Sequence, residues 1–361
     1  MGIYHARDLD QFVAECDRLG GLGTPETQAF LADFDVRFDT QVDQNLDPFS
    51  EEYFRAQVAL YSELSGRGLD QNSGELAPLD VDKHVAAVNS YNLRDVKFLS
   101  KHTRAVLTCL MLADLPHGAT VLDAGCGWGL SSEAMAWCGA SVTALDISPN
   151  FTELVHRRAT RLGLPIEVVR SGFDEYETEK KFDMLFFYEC LHHSVKPWET
   201  LAHLGKFVKV DGKILFAGEP INANWWKHWG LRLDSGSIYC IRKFGWWESG
   251  WSVDFIIQCF ARAGFSLVVY QHIGLDNGFV GAALRSDGSL GGRLNLSVMD
   301  PMNITSNLLT QARTELSDAR LELSVARNKI AALSSPVKTE LRRWFRKFKQ
   351  RCAQAKHLFF S

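Results

Sequence analysis

The stretch Val121-Leu122-Asp123-Ala124-Gly125-Cys126-Gly127-Trp128-Gly129 joins a short apolar segment to one rich in Ala and Met. This pattern predicts a buried strand over 119–122, a glycine-dense turn, and a helix over 130–138. Glycine lets the backbone lie directly against a ligand at the positive end of the helix dipole. A second predicted strand, 141–145, ends in Asp146, where a doubly wound sheet binds ribose hydroxyls.

The spacing of the glycines distinguishes between kinds of nucleotide. A dinucleotide fingerprint needs Gly-x-Gly-x-x-Gly to hold a pyrophosphate. Here Gly125, Gly127 and Gly129 follow Gly-x-Gly-x-Gly, and Asp123 precedes them by two residues. This pattern resembles the first motif of class I S-adenosylmethionine-dependent methyltransferases, whose ligand carries an amino acid instead of phosphates. The alternative is a glycine-rich turn that binds no ligand.

The resemblance implies a set of residues that bind S-adenosyl-L-methionine. They are Asp123, Gly125, Gly127, Gly129, Asp146, Ile147, Phe173 and Asp174. The motif would approach the methionyl part, Asp146 the ribose and Ile147 the adenine. The family usually has a short acidic residue directly after the glycine that ends the third strand. Phe173 stands at that position and Asp174 follows it. The segment Asn89-Ser90-Tyr91-Asn92 is a further candidate to close over the cofactor.

The alternation of strands and helices between 119 and 285 predicts an α/β fold. We expect a doubly wound, mostly parallel seven-stranded sheet with an antiparallel last strand, which is also what the resemblance implies. The predicted strands are 119–122, 141–145, 166–169, 183–188, 213–217, 265–271 and 279–284.

The chain of 361 residues is 46% hydrophobic, enough for one large core with appendages. We predict an N-terminal helical cap region over 1–92 and a methyltransferase domain over 93–285, with a tryptophan-rich insertion at 221–251. A Gly/Ser/Asn-rich linker over 286–305, a coiled coil over 306–334 and a basic amphipathic helix over 335–361 follow.

Cysteine usage and charge restrict the class of protein. The eight cysteines form no Cys-x-x-Cys pair, which indicates reduced thiols and predicts no metal site. No apolar run approaches the roughly 18 residues of a membrane span. We therefore expect a cytoplasmic protein, with a peripheral position at the inner membrane face. Residues 337–361 carry a net charge of +7, so the rest of the chain carries about −11, which makes nucleic acid an improbable partner.

The C-terminal extension carries two amphipathic patterns. Apolar residues recur with heptad spacing at Leu309, Ala312, Leu316, Ala319, Leu323, Ala326, Ile330 and Leu333. They predict a homo-oligomer through residues 306–334, the alternative being a single helix on its own domain. Residues 337–361 form a predicted helix with Trp and Phe on its apolar face and Lys and Arg on the rest. This pattern predicts contact with an anionic membrane surface. Docking on the acidic body, a solvated tail, and binding of RNA or an acidic protein remain open.

The fourth predicted strand ends in Phe187-Tyr188-Glu189-Cys190-Leu191-His192-His193. By the resemblance, this end lies under the transferred methyl group. His193 or His192 is suited to general base catalysis because the pKa of histidine lies near neutrality. Glu189 is the candidate to contact cofactor or substrate. The alternative for His193 is a helix-start residue bonded to the backbone.

The acceptor is predicted from the tryptophan-rich insertion and the loop after the fifth strand. The candidate substrate-binding residues are Trp225, Trp226, Trp246, Trp247 and Glu219. Flat rings with N–H donors suit sugars or lipid-like acceptors, so a small-molecule or glycan substrate is expected. We predict O-methylation of a saccharide, including lipid-linked saccharides and polysaccharides. The alternatives are methylation of a lipid, quinone or other small metabolite, and a non-catalytic cofactor-binding scaffold. The rings could instead pack on the N-terminal helices.

Overall fold

The computed structural model of the protein describes residues 2–71, 79–271, 279–286 and 294, except for the side chains of 270 and 271. The predicted coiled coil and basic helix, and almost all of the predicted linker, lie outside the described residues.

The helices and strands follow one another along the described chain. The strands are β1 Gly2–His5, β2 Phe34–Arg37, β3 Thr120–Ala124, β4 Ser141–Asp146, β5 Ile166–Arg170, β6 Phe182–Tyr188, β7 Val208–Ala217, β8 Trp229–Leu231, β9 Ser249–Trp251, β10 Phe265–Gln271 and β11 Phe279–Arg285. The helices are α1 Leu9–Arg18, α2 Pro25–Leu31, α3 Glu51–Ser65, α4 Val81–Ala86, α5 Val96–Ala113, α6 Leu130–Trp137, α7 Pro149–Leu162, α8 Pro197–Leu204, α9 Ser235–Phe244 and α10 Val253–Arg262. None of these helices is long and apolar enough to cross a membrane.

A seven-stranded sheet in the order β10-β11-β7-β6-β3-β4-β5 forms the centre of the fold. Strands β3 to β7 pair in parallel, and β11 runs antiparallel to both β7 and β10. The predicted α/β fold, the strand count and the antiparallel last strand are confirmed. Strand β7 begins at Val208, five residues before its predicted start at 213. The prediction left these residues out because the stretch 209–213 is mostly polar. The pairing of β6 with β7 shifts in register between Phe182 and Met184.

The N-terminal region is less helical than predicted. Strands β1 and β2 form a parallel pair of four residues each, which the sequence pattern did not predict. A strand of four residues has only two positions on its inward face, here Gly2 and Tyr4, and these are too few for a period of two to be recognised. Helices α1 and α3 each bury one apolar face, which includes Leu9, Phe12 and Cys16 in α1 and Tyr53, Leu60 and Leu64 in α3. Helix α5 begins at Val96, where the Asp95 side chain accepts a hydrogen bond from the Phe98 N–H and caps the helix.

The tryptophan-rich insertion packs against α3. Trp229, Trp247 and Trp251 are fully buried. The Tyr53 hydroxyl donates to the Trp229 carbonyl at 2.5 Å, and the Tyr61 hydroxyl donates to the Gly245 carbonyl at 2.6 Å. The insertion and the N-terminal helices therefore share one core, as the alternative to a substrate-binding cap predicted.

Candidate active site

A cavity of about 440 Å³ lies at the carboxyl ends of β3, β4 and β6. One end is formed by the glycine loop after β3 and the residues that follow β4 and β5. Five other lining residues contact one another, and we call them the acceptor end: Tyr91, Phe98, His102, Tyr188 and Glu189. The volume is within the roughly 300–1,000 Å³ typical of small-molecule sites. The cavity occupies the place where doubly wound sheets bind ligands.

The glycine loop is drawn tightly against its neighbours. The N–H groups of Gly125 and Cys126 donate to the Leu145 carbonyl at 2.8 and 3.0 Å. Gly125 has a φ of +68°, and a Cβ there would lie 2.7 Å from the Cβ of Cys190. Only glycine fits the backbone at position 125. Gly125 and Gly127 both line the cavity.

Asp146 holds the same loop from the end of β4. Its carboxylate accepts hydrogen bonds from the N–H groups of Gly127 and Ser148, both at 2.8 Å. Asp146 also lines the cavity beside Ile147. These bonds hold the carboxylate at the cavity wall, where its remaining lone pairs can accept further hydrogen bonds.

Asp123 and Gly129, predicted to approach the cofactor, do not line the cavity. Asp123 is 1% exposed and accepts hydrogen bonds from the Ser131 and Ser132 hydroxyls at the start of α6. Burial raises the pKa of Asp123 to about 6, against the opposing effect of these hydroxyls. Gly129 takes the N-cap position of α6 with a φ of +82°. Both residues shape the loop from behind.

The segment after β5 forms the wall next to Ile147. Phe173 and Asp174 both line the cavity, so the shift of the acidic residue by one position keeps it in the wall. Asp174 accepts a hydrogen bond from the Thr200 hydroxyl at 2.7 Å. Phe151 of α7 adds an aromatic ring to the lining, and no motif in the sequence indicated it.

The acceptor end brings together residues that are distant in sequence. The Tyr188 hydroxyl lies 2.5 Å from Nδ1 of His102, and the same nitrogen lies 3.9 Å from Oε2 of Glu189. Burial and the nearby Lys101 lower the pKa of His102 to about 4. The rings of Tyr91 and Phe98 pack edge to face, with centroids 5.2 Å apart.

Glu189 is the charged group best placed for chemistry. Its φ of +50° is unusual for a residue other than glycine and turns the backbone directly after β6. A Cβ on Gly218 would lie 2.4 Å from Cγ of Glu189, so Gly218 makes room for this side chain. Burial and the charge of Glu219 raise the pKa of Glu189 to about 7. Glu189 can therefore exchange a proton near neutral pH.

His192 and Glu219 lie behind the cavity wall, which corrects their predicted roles as base and substrate contact. Glu219 is fully buried and accepts hydrogen bonds from the N–H groups of residues 190–192. It also lies 2.8 Å from Nδ1 of His192. Burial alone would raise the pKa of Glu219, but His192 and these N–H groups hold it below its ordinary value. The pair fixes the loop that carries Glu189.

His193 is exposed to the cavity and also bonded to the backbone, but it ends a 3-10 turn over Leu191–His193 and does not start a helix. It lines the cavity, and its Nδ1 is bonded to the Trp247 carbonyl at 2.9 Å. A carbonyl only accepts hydrogen bonds, so Nδ1 carries a proton.

Only Trp246 of the four tryptophans predicted to bind substrate lines the cavity. Trp247 is fully buried in the shared core, and Trp226 is buried with its Nε1 donating to the Leu231 carbonyl at 2.6 Å. Trp225 is half-buried and packs against the same core. The prediction is wrong for these three because aromatic content does not indicate which face of the segment is buried.

Residues 79–95, which contain α4 and which we call the strap, border the cavity through Tyr91. Arg158 is fully buried and donates to the carbonyls of His84 and Ala87 at 2.8 and 2.9 Å, while it pairs with Glu133 of α6. The His84 and Tyr91 rings lie 4.6 and 5.6 Å from the ring of Trp128. The strap is thus fixed over the glycine loop.

Comparison with known proteins agrees with this geometry. Residues 121–212 match the family model described as "Methyltransferase domain". The chain is 32% identical over 127 residues to the ubiquinone biosynthesis O-methyltransferase of Salmonella paratyphi A, covering 35% of this chain and 51% of that relative. It is 26% identical over 212 residues to the ubiquinone biosynthesis O-methyltransferase of Erwinia tasmaniensis, covering 56% of this chain and 78% of that one.

Among solved structures, the 1,6-didemethyltoxoflavin-N1-methyltransferase of Burkholderia thailandensis, with bound 1,6-didemethyltoxoflavin and S-adenosylhomocysteine, matches with a TM-score of 0.42 and 20% identity. That match covers 59% of this chain and 93% of the other. The chain spans about half the length of the Salmonella relative. The family match, the sheet with its antiparallel last strand and the glycine loop show that the chain contains a class I S-adenosylmethionine-dependent methyltransferase domain.

Proposed function

We propose that the protein transfers a methyl group from S-adenosyl-L-methionine to a hydroxyl of a small aromatic acceptor of the quinol type. The observation that carries the proposal is one continuous cavity, which is lined both by the glycine loop and by an aromatic acceptor end containing Glu189. The names of the Salmonella and Erwinia relatives, both O-methyltransferases of ubiquinone biosynthesis, support the acceptor class.

The residues of the first end fit the cofactor. Gly125 lies where any Cβ would collide with Cys190, so backbone and not side chain faces the ligand. Asp146 offers a carboxylate for ribose hydroxyls, and Ile147 and Phe173 offer apolar surface for a flat base. When bound, the cofactor supplies an electrophilic methyl group on a sulfonium.

The chain's own residues align the acceptor and remove its proton. A phenolic hydroxyl is a weak nucleophile until it loses its proton. Glu189, with a pKa near neutrality, accepts that proton at its carboxylate. Tyr91 and Phe98 hold the acceptor ring, and the bond between Tyr188 and His102 fixes the wall beside it. Alignment of the two reactants supplies much of the rate increase.

The saccharide predicted from the sequence rested on the tryptophan-rich insertion. Because three of its four candidate rings lie away from the cavity, the quinol alternative is the better supported acceptor.

The test is methyl transfer from labelled S-adenosylmethionine by the full chain, with products identified by mass spectrometry. Three classes of compound are tested as methyl acceptors, namely catechols and quinols, phospholipids, and glycan fractions. We expect label on an aromatic hydroxyl and at least a 100-fold lower rate in Glu189→Gln. Label confined to glycans would overturn the acceptor class. Calorimetry that detects no cofactor binding would favour a non-catalytic scaffold.

The C-terminal predictions stay proposals about location and assembly. We expect residues 306–334 to associate in a homo-oligomer and residues 337–361 to bind anionic membranes at the inner face of the cytoplasmic membrane. Flotation with anionic vesicles, with and without residues 336–361, tests the second, and light scattering tests the first. Tail-dependent RNA binding without flotation would contradict the membrane proposal.

A further inference from the structure

A cluster of two histidines and one glutamate lies beside the acceptor end, and the proposed methyl transfer uses none of its members. His192, His193 and Glu248 each place a potential ligand atom within 4.8 Å of the other two. Nε2 of His192 is 3.6 Å from Oε2 of Glu248. The side chains of His192 and Glu248 are each 8% exposed, and His193 lines the cavity.

The Nδ1 atoms of both histidines are already oriented by acceptors. Nδ1 of His192 lies 2.8 Å from the Glu219 carboxylate, and Nδ1 of His193 lies 2.9 Å from the Trp247 carbonyl. Because these partners can only accept, each Nδ1 carries the proton, and in a neutral ring Nε2 then carries the lone pair. Histidines that bind metals are held in this way, by a carboxylate or carbonyl on the other ring nitrogen.

The charges around the cluster favour a cation. The carboxylates of Glu248 and Asp234 share one guanidinium, that of Arg232, and the Glu219 carboxylate lies against His192. Three carboxylates and one guanidinium leave a charge of −2 while both histidines are neutral. The Arg232 Nε lies 3.0 Å from Asp234, whereas its Nη1 lies 3.4 Å from Glu248. Buried carboxylates without a counter-charge are costly, and a divalent ion offsets the whole excess.

We propose that His192, His193 and Glu248 bind one late first-row divalent cation of the Zn²⁺ type, and that Glu219 is the positioning residue for His192. Two imidazoles and one carboxylate are a ligand set for such ions and leave a fourth position for water. The competing explanation is a protonated His192 between Glu219 and Glu248, which needs no metal.

The test is metal binding by the full chain after treatment with a chelator. Co²⁺ is added and its visible absorption followed, and Zn²⁺ is then used as competitor. We expect one equivalent to bind the wild-type protein, with an affinity 10- to 100-fold lower in Glu219→Gln, as for other residues that orient metal ligands. Glu248→Gln should lose the absorption band. The matched control is Glu199→Gln, an exposed glutamate on α8 whose loss should change nothing.

A second measurement separates metal binding from folding. Zn²⁺ should raise the melting temperature of the wild-type protein and of Glu199→Gln, but not that of Glu248→Gln. If Glu248→Gln fails to fold, His193→Gln replaces it in both measurements. Absence of stoichiometric binding by the wild-type protein, or equal binding by the ligand variants, would overturn the proposal. Neither result depends on methyl transfer, so the acceptor proposal is tested separately.

Discussion

The hydroxyl of Tyr188, at the end of β6, lies 2.5 Å from Nδ1 of His102 in α5. Burial raises the pKa of Tyr188, and burial together with Lys101 lowers that of His102 to about 4. Both groups are therefore neutral at pH 7. A neutral hydrogen bond, and not an ion pair, joins the helix to the strand that carries Glu189.

Removing the hydroxyl of this pair should weaken catalysis without preventing cofactor binding. A hydrogen bond between neutral groups contributes about 0.5–1.5 kcal/mol, so we expect Tyr188→Phe to lower kcat/KM by roughly 2- to 12-fold. The matched control is Tyr176→Phe, a buried tyrosine outside the cavity. A calorimetric Kd for the cofactor that rises as much as kcat/KM falls would contradict this role.

The pH dependence of methyl transfer should follow the ionisation of the Glu189 carboxyl group. Its pKa is raised to about 7, and only the deprotonated carboxylate can accept the acceptor's proton. Activity should therefore rise with pH through about 7 and level off above it. Glu189→Gln should be slower by about 10²- to 10⁴-fold and should lose this limb of the profile. Rates measured from about pH 5.5 to about pH 8.5 test this assignment. If the rising limb of the profile is unchanged in the variant, a group other than Glu189 produces it.

Alanine substitutions at Gly125 and Gly163 should distinguish the cost of a left-handed backbone from the cost of a close contact. Their φ angles are +68° and +65°, but a Cβ on Gly125 meets Cys190 whereas a Cβ on Gly163 meets nothing within 4 Å. Gly163→Ala should cost only the left-handed conformation, about 1–2 kcal/mol of unfolding free energy. Gly125→Ala should cost more and should weaken cofactor binding more than tenfold. Denaturant titration and calorimetry measure both, and equal losses would mean that the contact with Cys190 does not matter.

Asp146 should control cofactor affinity. Its carboxylate accepts from two backbone N–H groups of the site and faces the cavity. Bonds to a charged group contribute about 1.5–3 kcal/mol, so Asp146→Ala should raise the cofactor Kd by roughly 10- to 100-fold. The control is Asp35→Ala, which removes an exposed carboxylate paired with Arg37 at 2.7 Å. Should both variants bind the cofactor like the wild-type protein, Asp146 has no part in the site.

Trp246 and Trp247 should have different effects although they are neighbours. Trp247 is fully buried in the shared core, so Trp247→Ala should cost about 3–5 kcal/mol of unfolding free energy. Trp246 lines the cavity, so Trp246→Ala should raise KM for the acceptor several-fold with little change in melting temperature. Thermal melts and initial rates with the quinol acceptor test both. The reverse pattern would show that the insertion faces the substrate through Trp247.

The sequence predicted the parts of the site that depend on neighbouring residues. The β3–glycine loop–α6 unit and Asp146 at the end of β4 follow from local periodicity, glycine spacing and strand length. The acceptor end does not, because His102 lies on an amphipathic helix, where it looks like any core residue. Its contact with Tyr188 spans 86 positions and arises only when α5 packs on the sheet. The burial of Trp247 likewise depends on α3, a helix far away in sequence.

The carboxylate of Glu219 bonds the backbone of the adjacent strand's loop, so the position of Glu189 is set by two strands together. Tyr91 of the strap and Phe98 and His102 of α5, which line the proposed acceptor end, supply none of these bonds. Substitutions there can change which molecule is accepted while the reactive carboxylate stays in place. The fold thus places the reactive carboxylate and most of the residues proposed to select the acceptor on different elements.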